Sequence, residues 1–374
     1  MSVRVLVAGV STRAAAESAA RAGFDVTSLD AFADVDQHPA VRALSLPRDF
    51  HARFTAPAAA RAARTLACDA VVYASSFENH PNAVRRLTAR RMLWGNAPDV
   101  LRGVRDPIHL ANVFHRNGIV APAVRLTAAT RGQWLVKPVA SGGGRRVRSW
   151  RGGAHVPAGS YLQEFIDGIP GSVVFVAAAG TVVPLGISRQ LVGDRAFGAT
   201  GFQYCGNILG SADARQAVRL ARVVTREFDL VGVNGLDFVV RGRRAYPIEV
   251  NPRWSASLEL VERAYGLSVF AAHADACRRA ALPDFELIAA CRGRGAVGKA
   301  VVFARHDVRI GDIAAWLASP DVRDVPHPGE FIRAGRPICT VFAAGRDGAD
   351  CYGALVNRAA SIYARTRAWE RRVA

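Results

Sequence analysis

The run Pro247-Ile248-Glu249-Val250-Asn251-Pro252-Arg253, with Gly235-Leu236-Asp237-Phe238-Val239-Val240 just upstream, carries residue types suited to holding a metal ion and a phosphate. Leu236–Val240 and Ala245–Val250 are short apolar runs rich in β-branched residues, and the polar Arg241–Arg244 between them reads as a hairpin turn. A loop made of Gly242–Arg244 sets Arg241 against Ala245 and Asp237 against Glu249. Alternation along the strand then puts Glu249 and Asn251 on one face with Asp237 beside them. Two carboxylates and an amide without a neighbouring lysine suit a hard, oxygen-seeking cation such as Mg²⁺ or Mn²⁺. Arg253, one strand step further along that face, is placed to reach a phosphate held by the metal. The plainer alternative is a hairpin with a solvated polar edge.

A second candidate lies a hundred residues earlier. Trp134–Pro138 reads as a strand that contains Lys137 and leads into Ser141-Gly142-Gly143-Gly144-Arg145-Arg146. Three glycines let the backbone fold close over an anion and offer N–H donors, with a compact ammonium at the root of the loop. The loop lacks the Gly-Lys-Ser/Thr ending of a Walker A motif. Alone it reads equally well as a plain hairpin; coupled to the acidic hairpin it points to a magnesium nucleotide.

The elements that must position these groups fall into a βαβ rhythm followed by mixed segments. Val3–Val7 and Phe24–Leu29 read as strands around an alanine-rich helix, Ala14–Ala22, and Cys68–Ala74 reads as a later strand. Gly9–Arg13, with Ser11 and Arg13, and Ser75–Asn79, with Glu78, follow strand C-termini, where doubly wound sheets bind ligands. The alternative for both loops is an ordinary polar turn. No G-x-G-x-x-G fingerprint occurs, which argues against a dinucleotide. Asp106–Asn117 reads as a helix with Pro107 in its first turn. From about Pro283 a third unit opens with a strand, Ala296–Ala304, and the paired glycines of Pro326–Ala343 suggest small hairpins.

Composition narrows the class. The chain has 374 residues, half of them hydrophobic, and no apolar run approaches the roughly 18 residues of a membrane span. Ser2–Val10 lacks the charged segment and cleavage site of a secretory leader. Six cysteines are scattered without Cys-x-x-Cys spacing, which disfavours zinc and disulfides and suits a cytoplasmic location. Net charge is +18, and only Lys137 and Lys299 among the 49 basic residues are lysines. The positive field suits small anions, because no nucleic-acid recognition pattern accompanies it. Lys299 is expected to decorate a strand edge.

Lysine before a glycine loop, then Gln163-Glu164-Phe165-Ile166-Asp167-Gly168, then Asp237 and Glu249-Val250-Asn251-Pro252-Arg253, resembles the ATP-grasp superfamily. Closest in look are the predicted ATP-dependent carboligases related to biotin carboxylase. The resemblance implies an α/β and α+β multidomain fold. Residues 1–103 would be a Rossmann-like pre-ATP-grasp domain and 104–283 an ATP-grasp fold of two α+β subdomains. Residues 284–374 would be a small C-terminal β-rich domain like that of biotin carboxylases. It also implies roles: Lys137 on the α- and β-phosphates, Ser141, Gly142, Gly143 and Gly144 closing over them, and Gln163, Glu164, Phe165 and Ile166 as an adenine-binding hinge that works largely through backbone. Asp237, Glu249 and Asn251 would bind one or two Mg²⁺, and Arg253 with Arg189 would serve the transferred phosphoryl group and the acceptor.

Three departures stand out. Asp106-Pro107 occupies the place of a nucleotide-binding lysine, where Arg102 or Arg105 could substitute. Gly171-Ser172 replaces a ribose-binding acid, and no Met-Lys biotin carrier site is present. The implied activity is ATP-dependent, ADP-forming carboxylate–amine ligation through an acyl-phosphate, in the making of a one-carbon carrier of the methanofuran or tetrahydromethanopterin type. Small-molecule carboxylates and amines are the expected partners, with no nucleic acid or membrane, and a homodimer is compatible. The alternatives are carboxylation through carboxyphosphate, a non-catalytic nucleotide-binding protein, and a small-molecule kinase.

Overall fold

The computed structural model describes residues 2–129, 131–153, 155–210 and 214–370. Strands β1 (Arg4–Ala8), β2 (Asp25–Asp30), β3 (Val41–Ser45), β4 (Ala70–Tyr73) and β5 (Met92–Leu93) form a parallel sheet in the order β3-β2-β1-β4-β5. Its central strands are continuous apolar runs because helices cover both faces: Val5 and Val72 pack with Ala15 and Ala19 on one side, Leu6 and Val71 with Ala59 and Val84 on the other. This is the doubly wound sheet expected from the βαβ rhythm.

A four-stranded antiparallel sheet follows, in the order β6-β9-β7-β8, from β6 (Val124–Arg125), β7 (Trp134–Pro138), β8 (Arg148–Ser149) and β9 (Ser160–Glu164). The helix Pro107–Arg116 precedes it as expected. Its start is fixed by Asp106, whose carboxylate accepts the Ile108 and His109 N–H groups, and by Pro107 in the first turn.

The remaining strands are β10 (Ile169–Ala178), β11 (Thr181–Val192), β12 (Tyr204–Leu209), β13 (Gly232–Arg241), β14 (Arg244–Asn251), β15 (Ala296–Phe303), β16 (Val308–Arg309), β17 (Val322–Arg323), β18 (Phe331–Ile332) and β19 (Pro337–Gly345). All but two join one eight-stranded sheet in the order β14-β13-β10-β11-β12-β15-β19-β17; β16 and β18 pair with each other. Thus the glycines of Pro326–Ala343 do not close local hairpins. β18 turns back to β16, and β19 runs beside β15.

One face of the long sheet buries Val173, Phe175, Ile187, Leu236 and Val250 against Leu220, Ala221 and Val224 of the helix Ala214–Phe228. Further along, Leu355 and Ala359 of the helix Gly348–Glu370 cover Ala300 and Val302. On the opposite face, the apolar end packs Val174, Val176 and Val233 against Val261 and Phe270, and the polar end carries Ser172 and Asp237. No helix among the described residues is long and apolar enough to cross a membrane.

Candidate functional site

The β13–β14 hairpin turns on two residues rather than three, because Arg241 pairs with Arg244. Gly242 takes φ +61°, the left-handed geometry a two-residue turn wants at its first central position. A bulge at Ile248 then inserts one residue, so Asp237 still faces Glu249 and Gly235 faces Asn251. The shorter loop and the bulge offset each other. Both carboxylates and the amide lie on one sheet face.

Their contacts are specific. Asn251 donates its amide to Asp237 Oδ2 at 3.1 Å, and Gln190 donates to Oδ1 at 2.8 Å. Arg253 reaches Asn251 Oδ1 at 3.0 Å and Glu78 Oε1 at 2.9 Å. Arg105 stands 3.6 Å from Glu249. Burial and then the charge of Glu249 push the Asp237 carboxyl up to about 7. Burial alone would raise Glu249 as well, but Lys137, Arg105 and Arg253 together outweigh it and hold that carboxyl below its ordinary value. Such a pair shares negative charge poorly until a cation joins it. Among the described residues no group of three or more His, Cys, Asp or Glu side chains is arranged for a metal. Two carboxylates and an amide still fit Mg²⁺, which keeps waters and phosphate oxygens in its shell.

Lys137 lies across from this face on the small sheet. Its Nζ donates to Gln163 Oε1 at 3.0 Å, and Gln163 Nε2 in turn donates to the Ile248 carbonyl at 3.2 Å, tying the two sheets together. The glycine loop is pinned at both ends. The Ser141 carbonyl accepts from Asn79 and Arg105, each at 3.1 Å, and the Gly143 carbonyl accepts the Tyr204 N–H at 3.1 Å. Gly144 has φ +69°, and a Cβ there would stand 1.7 Å from the Phe202 carbonyl oxygen, so no other residue fits the docked loop. At the hinge, the Glu164 and Phe165 N–H groups are already bound to the Ala123 and Gln133 carbonyls, each at 2.8 Å. Those two donors are therefore committed to neighbouring backbone carbonyls. The Phe165 and Phe202 rings meet edge to face at 6.3 Å, and Ile166 is buried.

Three expectations are corrected. Arg189 falls on the opposite face of the sheet from Asp237. Its neighbours Ser188 and Gln190 point toward the carboxylates, while Arg189 lies over the Tyr352 ring at 5.7 Å. Arg13 is wholly buried, with Glu259 and Asp324 at 2.7 Å and Glu17 at 2.8 Å, so it joins elements rather than meeting a solute. Ser11 is exposed on the same loop. Lys299 is not at an edge either: β15 lies between β12 and β19, and Nζ binds Glu259 at 2.6 Å. Glu78, in contrast, is delivered to Arg253 by the turn after β4.

Arg102 pairs with the exposed Asp99, which leaves Arg105 as the arginine beside Glu249. Gln190, to which the sequence reading gives no role, completes the polar face together with Tyr204 and Asn207 of the Phe202–Asn207 segment. Tyr204 hydroxyl bonds Asn207, whose amide donates to Ser188 at 2.8 Å. Alternation along β11 was the available signal, because Ser188 and Gln190 are two residues apart.

Residues 104–257 match the ATP-grasp domain family. No curated protein matches the chain by sequence. Among solved structures, Rhizobium etli pyruvate carboxylase aligns with TM-score 0.70 at 15% identity over 98% of this chain, which spans 37% of that longer one. L-amino acid ligase from Bacillus licheniformis aligns with TM-score 0.67 at 16% identity, over 94% of this chain and 96% of its own. Biotin carboxylase from Campylobacter jejuni, solved with a nucleotide, aligns with TM-score 0.65 at 15% identity over 91% and 87%. Residues 104–257 are therefore an ATP-grasp domain, and the chain around it has the fold of biotin carboxylase.

Proposed function

We propose that the protein is an ADP-forming carboxylate–amine ligase that uses Mg-ATP. The observation that carries this reading is the polar sheet face of Asp237, Glu249, Asn251 and Arg253 set against Lys137 and a docked glycine loop. Asp237, Glu249 and Asn251 would hold Mg²⁺ or Mn²⁺, which offsets charge on the transferred phosphoryl group. Lys137 supplies a point charge to the phosphates, and Ser141–Gly144 excludes water from them. Gln163–Ile166 borders the base. Arg253 steadies the phosphoryl group and the acyl-phosphate made from the carboxylate substrate. An amine then displaces phosphate to give the amide. No side-chain nucleophile is needed for this route.

The same fold serves an amino acid ligase and a biotin carboxylase, so the two chemistries divide on what meets the activated carboxyl group. Incubation of the pure protein with Mg-ATP and a panel of amino acids and arylethylamines should give ADP together with a new amide mass. ADP release that requires bicarbonate and no amine would establish the carboxylation route instead. The finer reading, a substrate in the making of a methanofuran- or tetrahydromethanopterin-type carrier, rests on sequence resemblance and is tested by the same panel extended to fragments of those carriers.

A further inference from the structure

The Glu78 side chain is 1% exposed, and its two oxygens have different fates. Oε1 accepts from both Nε and Nη2 of Arg253 at 2.9 Å, whereas Oε2 is buried with no hydrogen-bond partner. A buried carboxylate oxygen left empty is costly. The turn that carries it is strained too, since Ser76, just before Phe77–Asn79, sits at φ +86°. A Cβ placed on Gly142 would stand 4.0 Å from Glu78 Oε1, so the glycine loop lies over this group. Strain and an unsatisfied charge held beside the phosphoryl-binding arginine mark a place that a ligand completes.

The chemistry of that ligand follows from the vacant atom. An ionised carboxylate only accepts hydrogen bonds, so the ligand must donate, and a cationic donor gains most. An anion is excluded from Oε2 by its charge. We propose that Glu78 is the residue that receives the acceptor amine, binding it as an ammonium ion and taking its proton; this rests on the ligase reading above. The ammonium passes one proton to Oε2, and its freed lone pair attacks the acyl carbon of the acyl-phosphate. The bond from that carbon to the phosphate oxygen breaks, and the electron pair leaves with phosphate. The second nitrogen proton goes to the departing phosphate, giving amide and hydrogen phosphate. Glu78 returns its own proton to solvent when the glycine loop lifts.

Calorimetric titration with n-butylammonium chloride and with n-butanol, its uncharged analogue, tests the binding half with and without Mg-AMPPNP. Wild type should prefer the ammonium by at least tenfold, E249Q should retain that preference, and E78Q should lose it while E78D keeps part of it. Equal binding of the two probes by wild type, or an unaltered preference in E78Q, overturns the proposal. Loss of AMPPNP binding with the ammonium preference intact would instead defeat the ATP-ligase reading, so the two failures are separable. For the proton step, E78Q should slow amide formation from an ordinary amine at least tenfold more than from hydroxylamine, which is uncharged near neutral pH. Equal slowing would make Glu78 a support for Arg253 and nothing more.

Discussion

Arg13→Met separates a structural strut from a substrate-binding residue. The Arg13 guanidinium is fully buried, with Glu259, Asp324 and Glu17 within 2.8 Å and Asp36 at 3.7 Å. Methionine fills much of the same volume but leaves these carboxylates facing one another, with Lys299 still holding Glu259. Breaking one buried ion pair costs about 3–5 kcal/mol, so the expected loss near neutral pH is about 4 kcal/mol. The loss should depend on pH. Burial would raise both Glu259 and Asp324, but Arg13 and Lys299, with the side-chain hydrogen bonds these carboxylates accept, together outweigh it and hold them below their ordinary values of 4.5 and 3.8. Their contribution in wild type is therefore present above those values and fades as pH falls through the lowered ones. In the variant the stranded carboxylates accept protons at higher pH, so the gap from wild type should narrow as pH drops toward about 4.5. Urea unfolding followed by tryptophan fluorescence across pH measures both effects. A variant within about 1 kcal/mol of wild type, or one altered only in its requirement for the carboxylate substrate, would refute the strut.

Four other perturbations bear on the site. Glu249→Gln removes a charge from the proposed metal site at constant volume and should abolish ATP turnover while circular dichroism stays unchanged. Because Asp237 is raised to about 7, Mn²⁺ should compete with its proton, and affinity should fall by up to tenfold per pH unit below about 7; paramagnetic titration should show no such slope in Asp237→Asn. Gly144→Ala forces the loop off the Phe202 carbonyl and should raise the KM for ATP about tenfold or more, an effect of at least about 1.4 kcal/mol, with little change in overall stability. Arg189→Ala should leave kcat within about twofold, since its side chain lies on the far face of the sheet.

How far the sequence was legible varies by residue. The parallel sheet and the capped helix after Asp106 follow from local signals, an unbroken apolar strand and an Asp-Pro start. The facing of Asp237 and Glu249 follows from strand alternation, yet the hairpin reaches it through a shorter turn and a bulge at Ile248 that no periodicity announces. Arg189 was assigned by its neighbourhood in a motif, although one step along a strand reverses the side a residue faces. Arg13 and Lys299 are hidden for another reason. In a chain with 49 basic residues, buried cations look like surface ones, and their partners Glu259 and Asp324 are distant in sequence. Glu78 was within reach because it follows a parallel strand, where such sheets place ligand groups.

The shared eight-stranded sheet has a mechanical consequence. Since β15, β19 and β17 continue the hydrogen-bonded ladder that begins at β14, the floor under Asp237 and Glu249 is one plate extending into the carboxy-terminal part. The small sheet carrying Lys137 stands apart and meets that plate through the Gln163–Ile248 bond and through its glycine loop, whose Gly143 carbonyl accepts the Tyr204 N–H of β12. Opening and closing over a nucleotide should thus be one-sided, with the roof swinging and the floor still. For the same reason the carboxy-terminal strands cannot be treated as a removable appendage. A chain cut near residue 283 would bare the backbone edge of β12 beside Asn207 and Tyr204, turning the end of the polar face into a sticky strand seeking another partner.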